Sequence, residues 1–231
     1  MSGLFSFHGG LKTVRHKAES NREAVRASVL PRRLTVPLRQ HIGAIAKPLV
    51  QAGDRVLKGQ MIGQPDGYIS AAIHAPTSGV VTAVDQRPVP HPSGLPDWCV
   101  TIDSDGEERW IEREPVDYRR LHPTELRNLL RNAGVVGLGG AAFPSAVKLN
   151  LSGHCEHLET LILNGAECEP WITCDDRLMR ERAAEIVAGL HVMAHLLEPR
   201  EVLIGIEDNK PEAIAAMTAA CAGTGYAVRA V

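Results

Sequence analysis

The 231-residue chain has few aromatic residues, no Cys-x-x-Cys pair and no long apolar run. Aromatic side chains make up 4% of the residues, so the core must be mainly aliphatic. Because no apolar run approaches the roughly 18 residues of a transmembrane helix, we predict no membrane span. Without Cys-x-x-Cys, no segment has the typical ligand spacing of an iron–sulfur cluster.

The chain also lacks an excess of charge of either sign. It has 25 Lys and Arg against 27 Asp and Glu, a formal net charge of −2. Nucleic-acid binding depends on a basic face that neutralises phosphates, so we expect no nucleic-acid partner. The five cysteines are an odd number without disulfide-framework spacing. With no signal peptide, they predict reduced thiols on the cytoplasmic side.

Changes of pattern along the sequence predict three segments. Residues 1–36 are rich in Arg and Lys, which predicts a surface arm that packs across a neighbouring domain. Residues 37–114 contain short apolar runs between Gly, Pro and Asp, as in a small all-β domain. Residues 118–231 alternate strand and helix patterns, as in a parallel α/β domain. The last predicted strand ends with the chain, so we expect this domain to be incomplete.

Part of the β segment resembles a biotinyl/lipoyl carrier, a barrel-sandwich hybrid. The pattern V-x-x-G-D-x-V-x-x-G-Q-x-I runs from Val50 to Ile62, and A-P-x-x-G-V-V runs from Ala75 to Val81. In carriers of this type, a lysine between the two halves receives the prosthetic group. The intervening QPDGYISAAIH has no lysine, so we expect a structural or docking role.

The sequence GLGGAAFPSAVK, residues 137–148, is the first candidate binding segment. Glycines allow backbone N–H groups to approach a phosphate, and a following helix with Lys148 would add positive charge. The match of Gly137, Gly139 and Ala142 to G-x-G-x-x-A is weak by itself. A helix cap with a close-packing turn is the alternative.

Two further candidate segments follow predicted strands, at the edge where α/β sheets bind ligands. NGAECEPWITCDDR, residues 164–177, contains Glu167 and Glu169, two carboxylates that can face different parts of a ligand. IEDNKPE, residues 206–212, places Lys210 beside a predicted helix start with the Asn-x-x-Glu spacing of a capping box. A solvated turn and a surface lysine are the structural alternatives.

Cysteine and histidine spacing gives little indication of a metal site. Cys168, Cys174 and the cluster His154-Cys155-x-His157 match no standard zinc pattern. We therefore predict no metal ligands in the chain.

The motifs together resemble a known family. GLGGAAFPSAVKL, NGAECEPWITCDDRLM and IGIEDNKPEAI, behind the carrier-like domain and an opening FHGG, resemble the C subunits of bacterial Rnf (or Rsx) electron transport complexes. The glycine loop and the N-x-x-E-x-E-P segment also resemble the flavin- and NADH-binding subunit of respiratory complex I. The resemblance implies a barrel-sandwich hybrid domain followed by a Rossmann-like FMN- and NADH-binding domain.

The resemblance also assigns residues to the two cofactors. For FMN it implies Gly137, Gly139, Gly140, Lys148, Asn164, Glu167 and Cys168. For NADH it implies Phe143 and Glu169, of which Glu169 is the candidate catalytic residue. Glu207, Asn209 and Lys210 would complete the site. Complex I proteins have arginine at the position of Leu138 and aspartate at that of Ala166, so FMN contacts should differ in detail.

The resemblance finally implies a function. Hydride transfer from NADH to FMN would be followed by single-electron exit through two [4Fe–4S] clusters beyond residue 231. The protein would be a peripheral subunit on the cytoplasmic face of the bacterial inner membrane. Its partners would be the other proteins of the complex and a ferredoxin-type or protein acceptor downstream. A non-catalytic docking module and a soluble NAD-binding dehydrogenase domain are the alternatives.

Overall fold

The computed structural model describes residues 14–91, 93–151 and 157–231. Within these residues the chain forms two compact units. The β unit consists of residues 28–151, and the α/β unit combines residues 14–27 with 157–231. Among the described residues, no helix has both the length and the apolar character needed to cross a membrane.

The β unit contains two antiparallel sheets. Its strands are β1 (Arg33–Pro37), β2 (Lys47–Pro48), β3 (Arg55–Val56), β4 (Met61–Gln64), β5 (Ile73–His74), β6 (Gly79–Pro88) and β7 (Pro96–Ser104). One sheet has the order β1-β7-β6-β3 and the other β2-β4-β5. Leu38, Ile62, Val81, Val100 and Ile102 are fully buried in the core. The predicted all-β architecture with an aliphatic core is thus confirmed.

β1 begins at Arg33, inside the segment predicted as an arm. Leu34 and Val36 alternate with more polar residues, and Val36 is buried. The strand lies at a sheet edge, where Pro37 is tolerated because an edge strand has unpaired backbone groups. The proline therefore ends the strand without preventing it.

Two short helices follow the strands in the β unit: α2 (Pro123–Asn132) and α3 (Ser145–Lys148). The predicted start of α2 is confirmed, with Pro123 as its first residue. His122 accepts the Thr124 N–H at 3.3 Å, and Glu125 accepts the His122 N–H at 2.9 Å. This capping box satisfies N–H groups that would otherwise lack partners.

α2 packs against the preceding strands, so the compact β unit extends beyond residue 118. Arg131 Nε donates to the Ser70 carbonyl at 3.2 Å, and the Ala72 N–H donates to the Arg131 carbonyl at 3.1 Å. After α2, Gly134 has φ +72°, and a Cβ there would lie 2.6 Å from the Ala72 carbonyl oxygen. The domain borders at residues 114 and 118 stay a sequence prediction.

The α/β unit contains a parallel sheet and three helices. Its elements are α1 (Lys17–Ser20), β8 (Thr160–Asn164), α4 (Cys174–Leu197), β9 (Glu201–Ile206), α5 (Pro211–Ala220) and β10 (Ala227–Ala230). The strands pair in parallel in the order β10-β9-β8. The predicted parallel α/β architecture is confirmed.

The core of the α/β unit lies between β9 and the two longer helices. Val202, Ile204 and Ile206 alternate along β9 and are buried with Leu190 of α4 and Met217 of α5. Burial of each such side chain contributes about 1.5–3 kcal/mol. β8 and β9 pair in register, so their carboxyl ends meet at one edge of the sheet. The loops that follow them therefore start side by side.

Helix starts in this unit differ from the predicted ones. α4 begins at Cys174, about half a turn before the predicted start near Asp176. The capping box predicted from Asn209 and Glu212 is wrong, because the N-cap is Lys210 and no side chain caps α5. Lys210 is buried instead, since its ammonium pairs with an acidic side chain of the neighbouring loop.

Asp105 holds the turn after β7 in the β unit. Its carboxylate accepts hydrogen bonds from Ser78 Oγ at 2.7 Å, from Arg109 Nη2 at 2.9 Å and from the Glu107 N–H at 3.0 Å. The bond from Ser78, with those from Arg109 and Glu107, lowers the pKa of Asp105 from 3.8 to about 2. The ionised form is therefore favoured in the folded state.

We predict that Asp105→Asn lowers the melting temperature at pH 7 and that the difference shrinks towards pH 2. A carboxyl group with a lowered native pKa contributes stability above its ordinary pKa, and this is lost as the pH falls through about 2. Thermal unfolding followed by circular dichroism measures the effect. Asp85→Asn, which removes only an exposed pair with Arg87, is the control. A difference that stays constant between pH 7 and pH 2 would contradict the prediction.

Candidate functional site

The candidate site in the α/β unit is formed by the loops after β8 and β9, residues 165–173 and 207–210. The Gly165 N–H donates to the Gly205 carbonyl at 2.8 Å, which joins the two loops at their base. A Cβ at position 165 would lie 2.9 Å from Met179 Sδ and 3.0 Å from the Gly205 oxygen. Glycine is therefore needed for this close approach.

Glu167 is buried between two lysines. Its side chain is 3% exposed, and its Oε1 accepts the Asp175 N–H at 2.9 Å at the start of α4. Its Oε2 lies 3.5 Å from Lys210 Nζ and 3.9 Å from Lys17 Nζ. Both lysines are also buried. Two ammonium groups therefore face one carboxylate.

Glu207 supplies a second carboxylate beside Lys17. Its Oε2 lies 3.9 Å from Lys17 Nζ, and its Oε1 lies 3.8 Å from the exposed Arg15. Lys17, Lys210, Glu167 and Glu207 together form what we term the Lys–Glu cluster. Removing an ion from water costs several kcal/mol unless an opposite charge compensates. Two cations with two anions meet this condition.

Several buried atoms of the cluster make no hydrogen bond within the described part of the chain. These are Lys210 Nζ, Glu167 Oε2 and Glu207 Oε2. The ion-pair distances of 3.5–3.9 Å exceed the usual hydrogen-bond range of about 2.7–3.2 Å. A buried polar group without a partner costs about 1–3 kcal/mol, and water or a polar ligand can remove that cost. The cluster therefore has capacity to bind a polar group.

Residues 14–27 pack along the loop after β8 and the start of α4. The Trp171 N–H donates to the Arg15 carbonyl at 2.9 Å. Further along, the Asn21 amide donates to Asp176 at 3.2 Å. The Val25 N–H donates to a carboxylate of α4 at 3.1 Å.

Lys17 is the functional candidate that sequence reasoning missed. It lies in an arm predicted to be at the surface, and 150 positions separate it from Glu167. No local pattern distinguishes it from the other basic residues of that arm. The only available signal is weak: the chain has six lysines and nineteen arginines, and Lys17 is one of the few lysines.

The two glutamates of the N-x-x-E-x-E-P segment have different environments. Glu167 is buried, whereas Glu169 and Cys168 are exposed. Asn164 is exposed at the end of β8, and its Oδ1 accepts the Ala166 N–H at 3.0 Å. The two carboxylates thus differ in burial, and their assignment to different parts of a ligand stays a prediction.

Cys174 and Asp175 lie beside Glu167 at the start of α4. Burial, with a hydrogen bond to Glu167, raises the pKa of the Cys174 thiol. Burial and the charges of Glu167 and Glu169 raise the pKa of Asp175. Ligand atoms of Glu167, Cys174 and Asp175 lie within 4.8 Å of one another. A raised thiol pKa disfavours the thiolate that binds metals, and lysines already neutralise Glu167. His154 and Cys155, named with the zinc spacing, lie outside the described residues.

The glycine-rich loop forms a separate candidate site in the β unit. Its base is closed by a hydrogen bond from the Gly137 N–H to the Phe143 carbonyl at 2.9 Å. A Cβ at Gly137 would lie 2.6 Å from Lys148 Nζ, so the lysine folds back over the loop. Gly139 and Gly140 are exposed, and within the described residues their N–H groups make no hydrogen bond.

The helix that follows this loop contributes less to a phosphate site than the sequence predicted. α3 has only four residues, so its dipole is small. The exposed glycine N–H groups and Lys148 remain as donors. The structure thus divides the predicted residues into two sets. Gly137, Gly139, Gly140, Phe143 and Lys148 belong to the β unit, and Asn164, Glu167, Cys168, Glu169, Glu207, Asn209 and Lys210 belong to the α/β unit.

Comparison with protein families gives two matches. Residues 5–107 match the RnfC barrel sandwich hybrid domain. Residues 130–230 match the Nuo51 FMN-binding domain. The second match begins within α2, and it includes both the glycine-rich loop and the loops after β8 and β9.

Curated relatives match along the whole chain, and each is named as the C subunit of an ion-translocating oxidoreductase complex. The protein of Pseudomonas aeruginosa is 50% identical over 232 residues, which is 100% of this chain and 30% of that protein. The proteins of Serratia proteamaculans and Vibrio cholerae (strain O395) are 47% and 46% identical, over 99% of this chain and 32% and 29% of theirs. The chain spans about a third of the length of these relatives.

The fold and the matches define a protein with a barrel-sandwich hybrid domain followed by an FMN-binding domain of the Nuo51 type. The chain belongs to the family of C subunits of Rnf-type ion-translocating oxidoreductase complexes and corresponds to their N-terminal part. The predicted fold class and the resemblance to this family are both confirmed.

We predict that Glu167→Gln lowers the free energy of unfolding of the FMN-free chain by about 3 kcal/mol, because it leaves Lys210 buried without its ion pair. Glu169→Gln, at an exposed position of the same loop, is the matched control and should change it by less than about 0.5 kcal/mol. Urea unfolding followed by circular dichroism measures both. Equal effects of the two variants would show that the cluster does not stabilise the fold.

Proposed function

We propose that the chain is the electron-input part of a peripheral subunit of an Rnf-type complex. In this function it moves electrons between NADH and downstream iron–sulfur carriers through bound FMN. The match of residues 130–230 to an FMN-binding domain carries the proposal. The names of the relatives support a redox role within an assembly of several proteins.

The residues of the glycine-rich loop fit the phosphate of FMN. Gly139 and Gly140 have exposed N–H groups that make no hydrogen bond within the described residues. Lys148 adds an ammonium group beside the same loop. A phosphate accepts hydrogen bonds from backbone N–H groups that have no other partner and from a cationic side chain. Gly137, which Lys148 covers, keeps the loop compact.

The Lys–Glu cluster has the chemistry to bind a polar part of FMN. Lys210 Nζ, which makes no hydrogen bond within the described residues, can donate to a carbonyl or hydroxyl oxygen of the cofactor. Glu167 Oε2 and Glu207 Oε2, which also lack a hydrogen bond there, can accept from a hydroxyl or ring N–H group. Asn164, Glu167 and Cys168 are proposed at FMN, with Glu207, Asn209 and Lys210 completing the site. When bound, FMN supplies the chemistry of accepting a hydride and releasing single electrons.

Phe143 and Glu169 are proposed as the residues that contact NADH. Glu169 is exposed, whereas Glu167 is held by lysines and a backbone N–H. An exposed carboxylate can bind and release a nucleotide without breaking a buried ion pair. This difference supports a division in which Glu167 holds the cofactor and Glu169 orients the substrate.

We also propose where the protein acts in the cell. The protein would lie on the cytoplasmic face of the bacterial inner membrane as a peripheral subunit. Its partners would be the other proteins of the complex and a ferredoxin-type or protein acceptor downstream. The [4Fe–4S] clusters of the relay would be bound by residues other than 1–231, because these contain no Cys-x-x-Cys.

We predict that the chain purified with FMN has flavin absorbance and that NADH bleaches it under anaerobic conditions. Glu169→Gln should retain its flavin but slow the bleaching by about tenfold or more, since it removes a contact to the nucleotide alone. Absorbance spectra and stopped-flow mixing measure flavin content and rate.

Three other outcomes would change the proposal. A chain without flavin and without bleaching would favour the non-catalytic docking module. Binding of NAD⁺ to flavin-free protein, measured by isothermal titration calorimetry, would favour a dehydrogenase domain if FMN does not bind. Loss of flavin from Glu169→Gln would show that the division between Glu167 and Glu169 is wrong.

A further inference from the structure

We propose that Lys17 is a positioning residue of the FMN site, so that the N-terminal segment 14–21 forms part of that site. This inference rests on the proposed function. The match that covers Lys17 is to the barrel sandwich hybrid domain, residues 5–107. Its contacts, however, are with the loops of the α/β unit. No family match therefore assigns it to the cofactor.

The ammonium group of Lys17 holds the loop after β8 at two points. It donates to the carbonyl of Glu167 and, at 3.1 Å, to the carbonyl of Ile172. These two residues flank Cys168 and Glu169. One buried cation, 8% exposed, thus fixes the backbone on both sides of the proposed cofactor and nucleotide residues.

The same ammonium group joins the two loops of the site. Its Nζ lies 3.9 Å from Glu167 Oε2 in the loop after β8 and 3.9 Å from Glu207 Oε2 in the loop after β9. Without it, the buried carboxylate of Glu167 and the partly buried one of Glu207 would have, among the described residues of the cluster, Lys210 as their one buried cation, since Arg15 is exposed. Like charges that share one cation repel each other. The two carboxylates would therefore move apart, and their positions are those proposed to contact FMN.

The backbone around Lys17 is held in an uncommon conformation. His16 has φ +52° and Trp171 has φ +68°, left-handed values that non-glycine residues rarely adopt. The two rings stack with centroids 4.4 Å apart, and the Trp171 N–H donates to the Arg15 carbonyl. Such conformations persist only where surrounding contacts enforce them. The stack thus presses the Lys17 segment against the loop that Lys17 binds.

The experiment compares FMN binding by the chain and its variants. FMN is titrated into flavin-free protein, and the dissociation constant is obtained from quenching of flavin fluorescence. Lys17→Met, which removes the charge but keeps a side chain of similar length, should raise the constant by about tenfold or more, because the loop proposed to contact FMN is no longer held in place. Lys17→Arg, which keeps the charge, should recover most of the affinity. Lys47→Met, an exposed partner of Asp66 in the β unit, should stay within twofold of the original.

Each outcome bears on one of the two proposals. A chain that binds FMN while Lys17→Met binds it equally well overturns the inference and leaves the proposed function in place. A chain that binds no FMN overturns the proposed function and the inference with it. A lower melting temperature of Lys17→Met with an unchanged dissociation constant shows a structural role alone and also overturns the inference.

A second measurement needs no variant and serves if Lys17→Met does not fold. Hydrogen–deuterium exchange of the original chain is compared with and without FMN. The inference expects slower exchange in residues 15–21 when FMN is bound, because the cofactor stabilises the loops that Lys17 holds. Exchange in this segment that FMN does not change overturns the inference. Residues 28–32 serve as an internal reference that FMN should not affect.

Discussion

The candidate cofactor site depends on the neutral pairing of four charges, those of the buried Lys17, Lys210 and Glu167 and of the partly buried Glu207. Glu167 is 3% exposed, so its negative charge would be costly to bury without Lys17 and Lys210. The positive charge of each lysine would likewise be costly to bury without a carboxylate. The pairing keeps two loops in fixed positions although neither contains regular structure. Because the ion pairs are longer than hydrogen bonds, the charges are balanced while some polar capacity remains for a ligand. Such a cluster holds its loops in place and still has polar atoms with which a ligand can form hydrogen bonds.

The sheet provides the geometry that makes this pairing possible. β8 and β9 are adjacent, parallel and in register, so Glu167 and Glu207 follow strands that end at the same edge. In open α/β sheets this edge is where ligands bind. Gly165 allows the first loop to turn against β9 without a clash. The apolar core beneath, centred on Ile204 and Ile206, therefore determines where the charges meet.

Local sequence patterns predicted most of the elements, because those elements depend on neighbouring residues. TLILN lies in β8 and VLIGI in β9, since each is a short apolar run of the length typical of a strand. The start of α2 was predictable from Pro123 and Glu125. The start of α5 was not predictable, because its N-cap residue is Lys210 rather than Asn209. Lys210 makes no local capping hydrogen bond and instead pairs with Glu167 of another loop. Lys17 was missed for the same reason: its partners are 150 and more positions away.

The position of Lys17 also shows why segments of a sequence and compact units need not coincide. Residues 14–27 precede the β unit along the chain, yet they contact the loops after β8 and β9 and the start of α4. A border drawn at residue 36 or 118 would separate a buried cation from the two carboxylates that it balances. An α/β domain that begins at residue 118 would keep Glu167 and Glu207 but only one buried lysine. Residues 14–27 therefore belong to the same compact unit as the loops after β8 and β9, where Lys17 balances their two carboxylates.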